Sequence, residues 1–313
     1  MQTRTPQPGA GVLIVRNSAS GTSVVRFDPA PVIAERLPGA TFRELSDGED
    51  FATVIADAMA GDAPDVLGIY GGDGSVARMI ELARKYDRPL LVLPGGTFNH
   101  FARAAGLDDV DAGIDAFERG RTVRVGLIEA SVDEGEPVTA INAVSLGTYP
   151  EFLDEREGRN ARLGKWLGGV VAAWRTMRTA EPLTIVRDGR RARVWSVFIG
   201  IGEHDPDQVA TMQRGELETG MLDVRIHHAR GSRLRAVAAL AFGRKTIAVL
   251  RAVRLMPSRA DVERMLVPSI DLIVRPDAGH PSVFVHDGEL EELTGPEFAL
   301  RCTAVPGAVA VFA

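Results

Sequence analysis

Two short apolar runs, Val66 to Ile69 and Leu90 to Leu93, each end in a glycine-rich loop that leads directly into a helical pattern. The first loop is Gly71-Gly72-Asp73-Gly74-Ser75, with the helix following from Val76; the second is Pro94-Gly95-Gly96-Thr97-Phe98-Asn99-His100, continuing through Phe101 and Ala102. Glycines let a backbone turn tightly and approach a phosphate, and the amides at a helix start point their N–H groups at an anion. One such loop is a weak signal, because a glycine turn with an Asp cap has the same letters. Two of them on successive strands describe a nucleotide cleft, since ligands of open α/β sheets bind beyond the carboxyl ends of the strands. Asp73 puts a carboxylate where a phosphate would sit. Its presence implies either a Mg²⁺ between the two or a carboxylate that orders the loop.

The surrounding pattern supports this placement. Strands at Val12 to Val15 and Thr41 to Leu45 join the two above, separated by helices near Ala30, Asp50, Ser75 and Asn99. Strands alternating with helices predict a mostly parallel sheet covered on both faces, a Rossmann-like α/β domain. The first strand ends at Asn17-Ser18-Ala19-Ser20-Gly21, again at a carboxyl end, where Asn17 and Ser20 could bond a nucleotide or simply form a polar turn. After Gly120 the character changes to strands: Val123 to Ala130, Val138 to Val144, Leu183 to Val186, Val194 to Ile199, Leu222 to Ile226, Ile270 to Val274 and Ser282 to Val285. Many strands with few crossover helices predict an antiparallel β-sandwich, here with helical insertions at Asn160 to Thr179 and Ser232 to Arg251. The expected domains are 1–122 (α/β, nucleotide-binding), 123–290 (β-sandwich, substrate) and 291–313, a C-terminal segment returning to the first domain, with the cleft between the two domains.

Bulk properties exclude several classes. With 313 residues and 45% hydrophobic content, the chain can bury one large or two medium cores, so it is neither disordered nor fibrous. A net charge of -6 argues against a nucleic-acid binder, which must neutralise phosphates. The single cysteine, Cys302, has no disulfide partner and is expected to be a small buried apolar residue. The polar, proline-containing segment from Met1 to Ala10 does not read as a secretory signal, and no charge-free apolar run approaches about 18 residues. The expected location is the cytoplasm, with any membrane work done from the surface.

Together these segments resemble the diacylglycerol kinase catalytic family, which includes sphingosine kinases and bacterial lipid kinases. The family's Asn-Pro-x-Ser-Gly stretch is matched by Asn17, Ser20 and Gly21 with Ser18 in the proline place, and its Gly-Gly-Asp-Gly-Thr by Gly71 to Ser75. Its Leu-Pro-x-Gly-Thr-x-Asn-Asp-Phe-Ala segment is followed by Leu93 to Ala102 except at His100, where many members have Asp and an imidazole could still contact phosphate. Downstream, Val283 to Val285 leads through His286 into Asp287-Gly288-Glu289. As residues these read as a type I′ hairpin turn. The resemblance implies instead that Glu289 is the general base, with Asp287 beside it, acting on an alcohol that attacks a γ-phosphate. It implies further that ATP and Mg²⁺ are the cofactors, that Asp73 organises the metal and phosphates, and that Gly71, Gly72, Gly74, Ser75, Gly95, Gly96, Thr97 and Asn99 cradle the nucleotide with Asn17, Ser20 and Gly21 nearby. The stretch Glu218-Thr219-Gly220-Met221-Leu222-Asp223 is similar to a family segment that helps hold a structural Mg²⁺ in bacterial members, but it lacks the acid immediately before the glycine.

The implied substrate is a membrane lipid of the diacylglycerol type, within phospholipid biosynthesis. Arg159 to Arg178 contains five cations and no acid, with Leu163, Trp166, Leu167, Val170, Trp174 and Met177 at helical spacing. Arg230 to Arg259 adds eight cations, also without an acid. Both stretches read either as faces docking on anionic lipid or as ordinary helices covering a core. His204, with Asp205 and Asp207, reads as a polar loop rather than a metal cluster, and His227 with His228 face opposite ways along a strand. Two other functions share parts of the pattern: an NAD kinase, and a nucleotide- or lipid-binding module without catalysis. A homodimer is compatible with the sequence.

Overall fold

The structure is a computed structural model, and it describes residues 7–16, 28–46, 48–96, 99–147, 182–204, 214–229, 262–276 and 282–313. Asn17, Ser20, Gly21, Thr97 and both basic, helix-patterned stretches lie outside the described residues. The chain divides into two compact units, Met1–Gly126 with Pro306–Ala313, and Leu127–Val305.

The first unit runs β1 (Val12–Arg16), α1 (Ala30–Arg36), β2 (Thr41–Glu44), α2 (Phe51–Ala60), β3 (Val66–Gly71), α3 (Asp73–Lys85), β4 (Leu90–Pro94), α4 (His100–Ala104) and α5 (Val110–Glu118). Its strands pair in parallel in the order β4-β3-β1-β2. The central strands β1, β3 and β4 are buried nearly throughout, as a sheet covered on both faces requires, whereas edge strand β2 is mostly exposed. Ile14, Leu67, Ile69 and Leu90 to Leu93 are all within the core, each contributing about 1.5–3 kcal/mol through burial. The helices begin at local sequence signals. Asp50 caps α2 by accepting the Thr53 N–H at 2.9 Å, and Asp109 caps α5 by accepting the Ala112 N–H at 2.8 Å. Because β1 has β2 on one side and β3 on the other, the chain reverses its direction of travel across the sheet between them. The carboxyl ends of β1 and β3 are therefore where an open α/β sheet opens a crevice.

The second unit is strand-rich and shares its first and last strands with the first unit: β5 (Thr122–Val132), β6 (Val138–Ala140), β7 (Ala143–Gly147), β8 (Leu183–Arg187), β9 (Arg190–Ile201), β10 (Leu222–His228), β11 (Val262–Val267), β12 (Ser269–Arg275), β13 (Ser282–His286), β14 (Glu289–Leu293) and β15 (Phe298–Phe312). Among the described residues, the pairs β5–β6, β7–β9, β7–β13, β8–β9, β8–β12, β9–β10, β10–β11, β12–β15 and β13–β14 are antiparallel. The long β9 organises it, pairing with β8 and β7 along one edge and with β10 along the other. One core gathers Ile128, Val197, Ile199, Val224, Leu272 and Phe298. Cys302 is fully buried in the same core, and burial raises its thiol far above the ordinary range, so it behaves as an apolar residue.

Three features differ from the sequence reading. The strand expected over Val138 to Val144 is interrupted at Ile141 and Asn142, whose amides bond a side chain instead of a neighbouring strand. β15 runs unbroken through Pro306-Gly307, so the segment from 291 onward is shared: up to Thr303 it pairs with β12 in the second unit, and Val311 pairs with Leu90 of β4 in the first. His204 is buried, not part of a polar loop. Its burial lowers the imidazole to about 4, against the raising influence of its bond to the Gly202 carbonyl.

Candidate functional site

β3 and β4 are neighbours in register, with Gly71 opposite Pro94, so the two glycine loops leave the sheet side by side. The Gly95 N–H donates to the Gly71 carbonyl at 2.9 Å. None of Gly71, Gly72, Gly95 and Gly96 has a positive φ, so dihedral freedom is not why they are glycine. Space is the reason. A Cβ on Gly96 would lie 2.4 Å from the Gly72 Cα, one on Gly95 2.8 Å from the Tyr70 ring, and one on Gly71 2.7 Å from the Ser75 Cβ. The loops touch backbone to backbone and leave no room for side chains between them.

Asp73 binds the second loop to the first. Its Oδ2 accepts the His100 N–H at 3.0 Å and its Oδ1 accepts the Phe101 N–H at 2.9 Å. These amides open α4 and have no partner inside that helix. Of the two readings that the sequence left open for Asp73, this geometry is the loop-ordering one, although each oxygen keeps lone-pair capacity. Asn99, in the left-handed region at φ 50°, braces the same loop: its Oδ1 accepts the Gly96 N–H at 2.9 Å and its Nδ2 donates to the Gly96 carbonyl at 3.0 Å. Across the loop, α3 makes its first backbone bond from the Val76 N–H to the Gly72 carbonyl at 3.0 Å. The amides of Asp73, Gly74 and Ser75 precede that bond at the positive end of the helix dipole, the arrangement that receives phosphate. At the end of β1, Arg16 pairs with Asp28 at 3.2 Å and lies 5.7 Å from the Tyr70 ring centroid. Neither Arg16 nor Tyr70 has a motif that would have marked it in the sequence.

In the second unit, Asp287-Gly288 forms the two-residue turn between β13 and β14, with φ of 49° and 92°. This is the hairpin that the residues alone suggested, and it carries a further interaction. The Asp287 carboxylate accepts three amides: Ile141 at 2.5 Å on Oδ2, and Asn142 at 2.8 Å and Ala143 at 3.0 Å on Oδ1. It thereby ties the hairpin tip to the β6–β7 junction. Glu289, the next residue but one, is exposed at the start of β14. Behind the tip, His286 Nε2 lies 3.2 Å from Glu291 Oε1. Arg214 is almost completely buried. Burial lowers its guanidinium to about 10, and the charge of Asp287 opposes that shift. Among the expected site residues, Gly71 to Ser75, Gly95, Gly96, Asn99 and His100 lie together in the first unit, while Asp287 and Glu289 belong to one hairpin of the second. Among the described residues, no group of three or more His, Cys, Asp or Glu side chains is arranged to hold a metal ion, and no helix is long and apolar enough to cross a membrane.

An α/β unit with paired glycine loops, followed by a strand-rich unit, is the two-domain fold of diacylglycerol-kinase-type enzymes. Residues 11–130 match the model of the diacylglycerol kinase catalytic domain. Solved structures extend the likeness in fold over the whole chain. A Bacillus anthracis str. Sterne protein provisionally described as a diacylglycerol kinase aligns with TM-score 0.62 at 18% identity, covering 99% of this chain and 98% of its own. A diacylglycerol kinase from the same organism aligns with TM-score 0.60 at 16% identity, covering 96% of both chains.

Proposed function

We propose that the protein is an ATP-dependent lipid kinase that transfers the γ-phosphate of ATP to a hydroxyl of a membrane lipid, in first place diacylglycerol, giving phosphatidic acid. The observation that carries this reading is the pair of touching glycine loops bound together by Asp73 at the carboxyl edge of a parallel sheet, within the residues that match a kinase domain. The amides at the start of α3 receive phosphate oxygens, and Gly95 and Gly96 lie against Gly71 and Gly72 beside them. Asp73 keeps the two loops in one geometry, so that the nucleotide meets fixed donors and not mobile backbone.

The donor set fits a Mg²⁺ that arrives with the nucleotide, since Mg²⁺ keeps most of its waters and takes one or two carboxylates plus phosphate oxygens. When bound it neutralises charge on the phosphates. Glu289 takes the acceptor hydroxyl's proton during in-line attack, and the exposure of its carboxylate suits a group that must reach a substrate. Asp287 positions it by fixing the hairpin tip. The acid-free basic stretches 159–178 and 230–259 supply contacts to anionic lipid headgroups, each cation near the surface contributing about 1 kcal/mol.

The test is transfer of labelled γ-phosphate from ATP to a panel of lipids and to NAD, presented with anionic vesicles, using the wild type and Glu289→Gln side by side. A labelled lipid formed by the wild type and lost in the variant is the expected result. Labelled NAD, or nucleotide binding without any product, overturns the proposal.

A further inference from the structure

Asp223, the second residue of β10, is completely buried. It ends the stretch Glu218 to Asp223, which is similar to a family segment that helps hold a structural Mg²⁺ but lacks the acid before the glycine. The residues present do not fit that ion. Asp223 Oδ1 accepts the Arg264 Nε at 2.9 Å, and Oδ2 accepts Arg264 Nη2 at 3.0 Å, Arg225 Nη2 at 2.8 Å and the His204 N–H at 3.0 Å. Four donors meet a group that has about four lone-pair sites, with Oδ2 saturated by three of them and Oδ1 already engaged by a guanidinium, so a cation could approach only against two positive groups. Burial by itself would raise this carboxyl, but the bonds and charges of Arg264 and Arg225 outweigh it and hold the group below the ordinary carboxylate range.

The charge around Asp223 is also already balanced. Arg264 reaches Glu203 at 3.1 Å, giving two carboxylates against two guanidiniums, and His204 is neutral near pH 7. Both arginines are held in place. Arg225 lies 5.8 Å from the Phe198 ring centroid, and Arg225 and Arg264 donate to the His204 carbonyl at 2.6 Å and 3.2 Å. A divalent ion here would meet two fixed positive groups at hydrogen-bond distance from the Asp223 carboxylate. Guanidinium is suited to the place, since it is weakly hydrated, always charged, and presents parallel donors to both carboxylate oxygens.

We infer that Arg225 and Arg264 form a permanent guanidinium clamp that neutralises Asp223, so that folding of the second unit needs no divalent metal. Any Mg²⁺ requirement of this protein then belongs to its nucleotide and not to its fold.

Thermal unfolding of the full chain without nucleotide, in EDTA and in millimolar Mg²⁺, tests this. The wild type is expected to melt at the same temperature in both buffers, and Arg264→Gln at a lower temperature in both. A wild-type Tm that rises with Mg²⁺ and no longer does so in Asp223→Asn overturns the inference, as does an Arg264→Gln variant that melts with the wild type. A measurement on the wild type alone is independent of how the variants fold: Mn²⁺ added to nucleotide-free protein should leave the His204 ring NMR signals sharp. Selective broadening of those signals places a metal beside Asp223 and overturns the clamp.

Discussion

Asp73 and Phe101 are 28 residues apart in sequence, and the Asp73 carboxylate accepts the Phe101 amide at 2.9 Å, next to the bond it accepts from His100. One side chain in the first glycine loop thus sets the position of the second. Asp73→Asn leaves at most one of its two terminal atoms able to accept an amide, and the other becomes a donor facing an N–H. The expected loss is about 1–3 kcal/mol of stability together with weakened ATP binding. Urea unfolding combined with nucleotide titration checks this; a residue that touched only ligand would leave the unfolding midpoint unchanged.

Gly96→Ala tests the packing of the loops. The added Cβ would lie 2.4 Å from the Gly72 Cα, a backbone atom that cannot rotate away, so the loops must separate. The expected cost is about 1–3 kcal/mol, with a loss of nucleotide affinity larger than the loss of stability alone would cause. Gly106→Ala is the control for strain without contact, since nothing lies within 4 Å of its Cβ position and only its φ of 73° opposes the change.

Asp287 and Glu289 should separate cleanly by experiment. Asp287→Ala leaves the amides of Ile141, Asn142 and Ala143 without their acceptor and should lower the melting temperature as well as activity. Glu289→Gln alters an exposed carboxylate and should leave the melting temperature within error while phosphoryl transfer falls by about 10²–10⁴-fold. Differential scanning calorimetry beside the transfer assay distinguishes the two.

His204 predicts a pH dependence of stability. Its folded-state value is lowered from 6.5 to about 4, because protonation would put a charge in the core and a proton on Nε2, which has no hydrogen-bond partner among the described residues. Between these values the unfolded chain binds the proton and the folded chain does not. Stability is therefore fully present above about pH 7 and falls as the pH drops from 6.5 towards 4, by about 3 kcal/mol in total. Urea unfolding across this range should show that slope, and His204→Gln should flatten it.

The sequence by itself determined the strand-loop-helix order of the first unit from β1 through α4, the two glycine loops, and the strands of the second unit whose apolar runs are long. All of these are local, set by periodicity and turn chemistry within about ten residues. Tertiary structure decided the rest. β11 and β14 have mostly half-exposed, charged patterns that read as strands only when a neighbour accepts their hydrogen bonds, and Pro306-Gly307 reads as a break until β15 is seen pairing on both sides of it. The partner of Asp73 is 27 residues away, those of Asp287 about 145 and the Arg264 that neutralises Asp223 is 41. A carboxylate's letter says that it will accept hydrogen bonds. Which amide or guanidinium donates them depends on which strands pair, and that is settled by burying the two cores.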